Sequence, residues 1–149
     1  MKKLIYLLIG ALGFTACSEN GDNDGGGGAM CEYGTPTVHF AVKGRVTDAD
    51  GNPIKGIVIS STGVGDVGVD KTLEAVSAED GSFATERIKA FSVYGKLTFT
   101  DTDGAENGGE FETKTVELHT LPKTQITEGD GSWYSGDYEV TADVKLKAK

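Results

Sequence analysis

Residues 42–59 read VKGRVTDADGNPIKGIVI, and this stretch is the clearest indication of the fold class. Two β-branched segments flank a turn in which the Asp48 and Asp50 carboxylates can accept hydrogen bonds from nearby backbone N–H groups. Gly51 supplies the positive φ that a tight turn needs, and Pro53 fixes the backbone where the next strand begins. The stretch therefore predicts a β-hairpin.

Period-two alternation continues on both sides of this hairpin. The first strand is predicted to bury Val38, Phe40, Val42 and Val46 on one face. Gly44 is the inward position without a side chain, which indicates a bulge or a close approach by a neighbouring strand. From residue 138 to residue 148 every second side chain is again apolar, so this segment is predicted to be a strand with one buried and one solvated face.

The segments between these strands complete an all-β pattern. Further strands are predicted at residues 54–60, 71–77, 82–89, 92–100 and 111–118. Asp-Gly turns occur at positions 50–51, 80–81, 103–104 and 130–131, and no window shows helical periodicity. We therefore predict a single antiparallel β-sandwich of about seven strands over residues 37–149. A closed barrel is the less favoured alternative, because residues 101–110 interrupt the strands.

Two stretches resemble a known domain family. Residues 42–56 carry the pattern V-x-G-x-V-x-D-x-x-G-x-P-I-x-G, which resembles the opening hairpin of carboxypeptidase-regulatory-like (transthyretin-like) domains. Residues 75–83, AVSAEDGSF, resemble the second hairpin of the same fold, in which the aromatic residue after the turn fills the core. The resemblance covers about half of the domain and implies the sandwich fold without implying an activity.

The N-terminus, MKKLIYLLIGALGFTAC (residues 1–17), has the pattern of a lipoprotein export signal. Lys2 and Lys3 precede eleven apolar or small residues, a run shorter than the ~20 residues of a membrane-spanning helix. Small residues then lead into Cys17, which we predict to carry the lipid once residues 1–16 are removed. Plain secretion is the alternative, although Phe14 stands where a secretory cleavage site prefers a small residue.

Residues 17–36 are predicted to be a flexible tether between the lipid and the sandwich, because the segment is rich in glycine and acidic residues. Glu19, Asp22 and Asp24 resemble the acidic export tag of some surface-displayed lipoproteins of Gram-negative bacteria. The alternative is a soluble linker without a sorting role. We therefore expect an outer-membrane lipoprotein in the cell envelope of a Gram-negative bacterium, facing the periplasm or the cell surface.

Charge and cysteine content exclude several classes of function. The chain carries 14 basic and 23 acidic side chains, and its net charge of −9 without a basic cluster argues against nucleic-acid binding. With Cys17 lipidated, Cys31 has no intramolecular partner, so it is a quiet small residue, a reactive thiol or a site of intermolecular pairing. His39 and His119 lie 80 positions apart, which is not the spacing of metal ligands.

A second resemblance covers most of the mature chain. It is carried by the lipoprotein signal, by YGTP at residues 33–36 and by DTDGAENGGEF at residues 101–111, and it is to the radical SAM-associated lipoproteins. That family takes its name from the radical SAM enzymes encoded beside its members. The resemblance implies such an enzyme as a partner, or as an enzyme that modifies this chain, and it implies no site residues.

The segment of residues 101–110 is also the candidate for a metal site. Its oxygen-bearing side chains are those of Asp101, Asp103, Glu106, Asn107 and Glu110. Glycines separate them, and Ca²⁺ takes about six to eight hard oxygen ligands, although the spacing differs from that of an EF-hand loop. The alternative is a solvated connection in which acidic and amide side chains form turns.

Residues 129–138, GDGSWYSGDY, hold the only tryptophan of the chain. On a polar loop, Trp133 and Tyr134 are candidate ligand-binding residues that would stack against a sugar ring or against a side chain of a partner. The alternative is that these aromatic rings fold back over the open end of the sandwich and become buried.

The sequence favours a binding or structural module over an enzyme. It contains no Gly-x-Ser-x-Gly motif, and the glycine-rich residues 63–68 are interpreted as a strand connection because no helix is predicted to follow them. We therefore expect no catalytic residues and no cofactor other than the candidate Ca²⁺. The expected partners are the membrane, through lipid on Cys17, and an envelope protein, a surface glycan or a radical SAM enzyme.

Overall fold

The computed structural model describes residues 34–66 and 69–149. Within these ranges the chain forms twelve β-strands and one 3₁₀ helix, Leu118–Thr120. The strands are β1 (Thr37–Thr47), β2 (Val58–Thr62), β3 (Val64–Asp66), β4 (Val69–Lys71), β5 (Glu74–Val76), β6 (Ser82–Ala84), β7 (Ile88–Ala90), β8 (Lys96–Thr100), β9 (Lys114–Glu117), β10 (Lys123–Glu128), β11 (Tyr134–Thr141) and β12 (Val144–Lys145).

The strands form two main sheets and a small hairpin. In sheet 1, β1 is central: β11 and then β12 pair along one side of it, and β6 and β7 pair along the other. The strand β10 lies beyond β11. Sheet 2 has the order β5-β2-β8-β9, and β3 pairs with β4 in the hairpin. The all-β sandwich predicted from the sequence is confirmed.

The central strand β1 runs parallel to β11 and β12, with Val42 opposite Val140 and Thr47 opposite Lys145. The other strand pairs of the described residues are antiparallel. Parallel neighbours need a long connection, and here most of the domain lies between β1 and β11. Alternation in the sequence predicts which face of a strand is buried but does not give the direction of the neighbouring strand. The parallel pairing was therefore not predicted.

Side chains from both sheets form one hydrophobic core. Phe83 of sheet 1 meets Phe99 of sheet 2 edge to face, with 5.7 Å between the ring centroids. The predicted buried face is confirmed for β1 and, in the C-terminal segment, for residues 140–146. There Tyr138 is only half-buried, Ala148 is exposed, and the predicted single strand is divided into β11 and β12. The buried residues on these faces are Val38, Phe40, Val42, Val46, Val140, Ala142, Val144 and Leu146.

The close approach predicted at Gly44 is confirmed. A Cβ atom added there would lie 2.1 Å from the carbonyl oxygen of Ala142, on the chain that joins β11 to β12. The backbone of Ala142 donates to the carbonyl of Lys43 at 2.8 Å, so the two segments are held together at this point. Only glycine fits without moving one of them.

The turn of residues 48–52 forms, but the strands that it joins do not pair as a hairpin. Asp48 Oδ1 accepts the N–H of Asn52 at 2.8 Å, and Gly51 has a φ of +94°. After a single bridge between Thr47 and Pro53 the chain crosses to sheet 2, where β2 begins. The predicted hairpin is therefore a connection between the sheets, since turn chemistry does not determine which sheet the next strand joins.

The second predicted hairpin behaves in the same way, because β5 belongs to sheet 2 and β6 to sheet 1. Several predicted strands are also shorter or divided: 71–77 becomes β4 and β5, 82–89 becomes β6 and β7, and 92–100 and 111–118 shrink to β8 and β9. The edge strand β10 was not predicted. All six of its residues are exposed, so it has no buried face to produce a pattern.

The predicted signal peptide, Cys17, Cys31 and residues 17–33 of the tether lie outside the described residues. In the part of the chain that the structure describes, no helix is long and apolar enough to cross a membrane. The glycine-rich residues 63–66 form the first half of the β3–β4 hairpin, whereas residues 67 and 68 are not described.

Candidate functional site

The segment of residues 129–137, called here the Trp133 loop, comprises the turn between β10 and β11, which is built on Asp130, and the first residues of β11. Asp130 Oδ1 accepts the N–H groups of Ser132 at 2.8 Å and of Tyr134 at 3.0 Å. These hydrogen bonds, that to Ser132 foremost, hold the pKa of the Asp130 carboxyl below its ordinary value. A Cβ atom on Gly129 would lie 2.2 Å from the carbonyl oxygen of Tyr134, so the two arms of the loop are in close contact.

Trp133 stands half-exposed on this loop. Its side chain is 48% exposed and does not belong to the buried core. Its carbonyl oxygen accepts hydrogen bonds from the backbone N–H of Thr37 at 2.9 Å and from the Thr37 hydroxyl at 3.2 Å. A Cβ atom on Gly34 would lie 3.3 Å from Cζ3 of the indole, so the ring rests against the backbone that leads into β1. The structure thus presents the indole to solvent from a fixed backbone.

The following residue, Tyr134, turns toward the outer face of sheet 1. Its hydroxyl donates to Asp137 Oδ1 at 2.6 Å, and its ring lies 5.2 Å from that of His39, centroid to centroid. His39 Nδ1 is 3.2 Å from Asp137 Oδ1, and Arg87 Nη1 is 2.7 Å from Asp137 Oδ2. The Asp137 side chain, 17% exposed, therefore ties β11 to β1 and to the residue that precedes β7.

A bulge in β11 allows this arrangement. Thr37 pairs with Tyr134 and His39 pairs with Asp137, so that three steps along β11 match two along β1. Gly136 absorbs the irregularity with a φ of +108°. In a regular strand, Tyr134 and Asp137 would lie on opposite faces, because they are three residues apart. The extra residue of the bulge places both on the face that carries His39.

Hydrogen bonds and charges within this network favour an ionised Asp137 and a neutral Tyr134. The hydrogen bond from Tyr134 lowers the pKa of the Asp137 carboxyl, the charge of Arg87 lowers it further, and partial burial opposes both. The same hydrogen bond raises the pKa of the Tyr134 phenol. At neutral pH the carboxylate is therefore ionised and the phenol neutral, which suits a rigid support for the Trp133 loop.

A concave surface is formed by the residues on either side of Trp133 in the chain, although Trp133 itself does not line it. It has a volume of about 420 Å³ and is lined by Pro36, Gly129, Gly131, Ser132, Tyr134 and Ser135. The lining combines an aromatic side chain with small residues whose backbone groups are accessible. Binding sites in proteins commonly join an apolar surface to a few polar groups in this way.

The predicted metal-binding segment, called here the Asp101 loop (residues 101–110), uses its polar groups mostly within the chain. Asp101 Oδ1 accepts the N–H groups of Asp103 and Gly104, both at 3.2 Å, and its Oδ2 accepts the N–H of Phe111 at 2.8 Å. Burial by itself raises the pKa of Asp101, but the backbone N–H of Phe111 and the other donors bring it below its ordinary value. The Asp101 side chain thus closes the loop.

The other candidate ligands of the Asp101 loop do not converge on one point. The Asp103 carboxylate accepts a hydrogen bond from the Asn107 amide, Glu110 Oε1 pairs with Lys149 Nζ at 2.6 Å, and Glu106 is exposed. Among residues 34–66 and 69–149, no three His, Cys, Asp or Glu side chains are grouped so that they could hold a metal ion. The calcium site stays a prediction, and its test is given below.

Three members of the Asp137 network were not identified from the sequence: His39, Arg87 and Asp137 itself. Arg87 and Asp137 are 50 residues apart, and they meet only because β7 and β11 flank β1. The alternation of β1 did place His39 on the polar face, but nothing local indicates which side chains lie opposite it. Knowledge of the strand order was needed to find the network.

Comparison with known proteins gives the chain no family: no protein-family model matches it, and no curated protein matches it. Its function therefore has to be inferred from its own residues and their geometry.

Proposed function

We propose that this protein is a lipid-anchored binding module of the cell envelope of a Gram-negative bacterium and that the Trp133 loop contacts its ligand. The observation that carries this proposal is the half-exposed indole of Trp133 on a backbone held by Asp130 and Thr37. Tryptophan is among the residues that contribute most binding energy at protein interfaces.

The rigidity of the loop supports a binding role. An aromatic side chain on a pre-organised backbone loses little conformational freedom when a ligand covers it, so more of its contact energy appears as affinity. The Asp130 turn, the Thr37 bonds and the Asp137 network each restrict the loop before any ligand arrives.

The anchor is supported by the sequence of residues 1–17. Two or three acyl chains on Cys17 would hold the protein stably, whereas a single chain gives only marginal membrane affinity. The tether of residues 17–36 would let the sandwich sample its surroundings, with a reach on the order of 25 Å for a flexible chain of this length. The module would then act on ligands close to the membrane that holds it.

Intact-mass measurement and peptide mapping of the protein from native membranes test the anchor. We expect acyl mass on a peptide that begins at Cys17. An unacylated N-terminus, or a mature chain that begins elsewhere, would contradict the proposal. Additional mass on a peptide of the sandwich would instead identify this chain as the substrate of a modifying enzyme, as the resemblance to the radical SAM-associated lipoproteins implies.

Site-specific photocrosslinking in intact cells tests the binding surface. A photoreactive amino acid is placed at Ser132, beside the indole, and at Ala105 in the Asp101 loop as the matched control, since both positions are exposed. We expect a discrete adduct from position 132 that disappears when Trp133→Ala is added. Adducts of equal yield from both positions, or adducts that do not depend on Trp133, would show that the Trp133 loop is not the contact surface.

A further inference from the structure

A second exposed aromatic surface is formed by Tyr94 and His119. Their rings stack nearly parallel, with 5.5 Å between the centroids and 17° between the planes. Tyr94 is 60% exposed and His119 is exposed as well. Large aromatic side chains ordinarily bury the faces of their rings. The outer side of this stacked pair is left in solvent, so it is a surface that a ligand can cover.

The backbone holds this pair in place. The N–H of Leu118, the first residue of the 3₁₀ helix, donates to the carbonyl of Gly95 at 2.9 Å, which joins the segment of His119 to that of Tyr94. Gly95 has a φ of +117°, and a Cβ atom there would lie 2.7 Å from Val64 Cγ2. Glycine at this position therefore lets the chain turn sharply, while Tyr94 projects outward.

An open groove of about 290 Å³ lies beside the pair, lined by Thr62, Gly63, Tyr94, Gly95, Lys96 and Glu117. Lys96 Nζ is 3.4 Å from Glu117 Oε1, and both side chains are largely accessible to solvent. The groove thus has one aromatic wall next to a donor and an acceptor of hydrogen bonds. It is shallow and open, so it suits a ligand that lies along the surface more than a small molecule that needs enclosure.

We propose that the Tyr94–His119 pair and the Lys96–Glu117 ion pair form a binding site for a sugar ring of a neutral polysaccharide. A pyranose ring has a flat face of C–H groups, which packs on an aromatic ring, and a rim of hydroxyls, which both donate to Glu117 and accept from Lys96. The net charge of −9 disfavours an acidic polysaccharide, because like charges would oppose its approach.

The two aromatic surfaces lie on loops that leave the same end of sheet 1. β7 ends at Ala90, opposite Val38, and the chain then runs through Tyr94 to the start of β8. At the neighbouring position of β1, Thr37 holds the carbonyl of Trp133. A polysaccharide long enough to span both loops is expected to contact Trp133 as well as Tyr94. The contact with Trp133 rests on the proposed function, whereas the Tyr94 site does not.

The test is retention of the detergent-solubilised full chain in native gels that contain a soluble polysaccharide. The probes are xylan, laminarin, galactomannan and pullulan as neutral chains, and polygalacturonate as the acidic one. We expect retention by at least one neutral chain and none by polygalacturonate. Retention by polygalacturonate alone, or by no polysaccharide, would overturn the proposal.

Substitutions at Tyr94 distinguish a sugar from other occupants. We expect Tyr94→Ala and Tyr94→Leu to weaken binding at least tenfold, and Tyr94→Phe to stay within twofold of the unmodified chain, because only a flat ring matches the sugar face. Val76→Ala is the control, since Val76 is also 60% exposed and lies on β5. Binding that survives Tyr94→Leu would indicate a merely apolar contact and contradict the sugar assignment.

Trp133→Ala, measured in the same gels, separates the two proposals. Loss of retention in Trp133→Ala with Tyr94→Ala unaffected would overturn the Tyr94 site and leave the Trp133 loop as the contact surface. The reverse result would confirm the Tyr94 site and contradict a polysaccharide that spans both loops.

Glu117→Gln removes an acceptor charge without touching either aromatic ring and is expected to weaken retention several-fold. Unchanged retention would show that the ion pair is not part of the site.

Discussion

The Asp101 loop and the Trp133 loop are similar in composition and differ in what they leave accessible. Each is rich in glycine, and each is closed by an aspartate that accepts backbone N–H groups, Asp101 in one and Asp130 in the other. In the Asp101 loop, Asp103 pairs with Asn107 and Glu110 pairs with Lys149. In the Trp133 loop an indole is left 48% exposed. An aspartate turn therefore builds either kind of loop, and the side chain left outside determines what the loop can bind.

The two loops also lie toward opposite ends of β1. Tyr134, next to the indole, pairs with Thr37 at the start of β1, whereas Lys145 pairs with Thr47 at its end. From there the chain continues to Lys149, whose N–H donates to the carbonyl of Glu110 at 2.9 Å. The Asp101 loop is thus fastened to the C-terminal segment, and the Trp133 loop to Thr37, the first residue of β1.

The largest difference between the loops is expected from alanine at two glycines with the same φ of +108°, Gly136 and Gly108. A Cβ atom on Gly136 would lie 2.4 Å from the carbonyl oxygen of Thr127, whereas one on Gly108 would have nothing within 4 Å. We expect Gly108→Ala to cost about 1 kcal/mol of unfolding free energy through the left-handed backbone alone, and Gly136→Ala about 3 kcal/mol or more. Urea denaturation measures both, and equal losses would show that the bulge is not crowded.

The next difference concerns the two aspartates that close the loops. Removing Asp101 leaves the N–H of the buried Phe111 without its acceptor, so we expect Asp101→Ala to lower the unfolding free energy by about 2 kcal/mol. Asp130 lies on an exposed turn, so Asp130→Ala is expected to cost less stability while it loosens Trp133. Thermal denaturation and tryptophan fluorescence anisotropy report the two effects. A larger stability loss in Asp130→Ala would reverse the comparison.

Acid sensitivity is expected at both loops. The carboxyls of Asp101, Asp130 and Asp137 all have pKa values below the ordinary value of 3.8. Their contribution to stability is therefore fully present above about pH 4 and is lost as the pH falls through their folded-state pKa values. We expect stability to change little between pH 7 and pH 5 and to fall below about pH 4. Asp137→Asn should reduce this acid loss, and an unchanged pH profile in that variant would contradict the assignment.

The smallest expected effect is that of calcium on the Asp101 loop. A bound ion would raise the melting temperature in proportion to its saturation, because it stabilises only the folded state. Since Asp101, Asp103 and Glu110 already have partners within the chain, we expect a change of less than about 1 °C in millimolar Ca²⁺. A rise of several degrees that is absent in Glu110→Gln would instead confirm the predicted calcium site.

The features that were predicted correctly are those that depend on interactions between residues close in the sequence. The Asx turn at Asp48 and the left-handed Gly51 depend only on neighbouring residues, and both are present. The buried alternation of β1 depends on the pleat of a single strand. Sequence reasoning failed for β10, whose six exposed residues leave no alternation to find. The strand predicted at residues 92–100 was also too long, because Gly95 has a φ of +117° and the regular backbone of β8 begins only at Lys96.

The candidate sites show the same division. Trp133 and Tyr134 were identified because a lone tryptophan in a polar segment can be recognised from the sequence alone. Arg87, His39 and Asp137 were not, since each meets the others across strands whose order depends on distant parts of the chain. The stacking of Tyr94 on His119 likewise requires β8 and β9 to pair and the 3₁₀ helix to follow them.

The sequence alone indicated the all-β fold that the described residues adopt, where the turns lie, which faces of the longest strands are buried and that Gly44 meets another segment. These properties follow from backbone preference and from burial of one face, which act over a few residues. The tertiary structure alone established that β1 is central and parallel to β11, that the Asp50-Gly51 and Asp80-Gly81 turns cross between the sheets, and which aromatic side chains stay exposed. Those outcomes depend on how strands far apart in the chain pair and pack, and no short stretch of sequence contains that information.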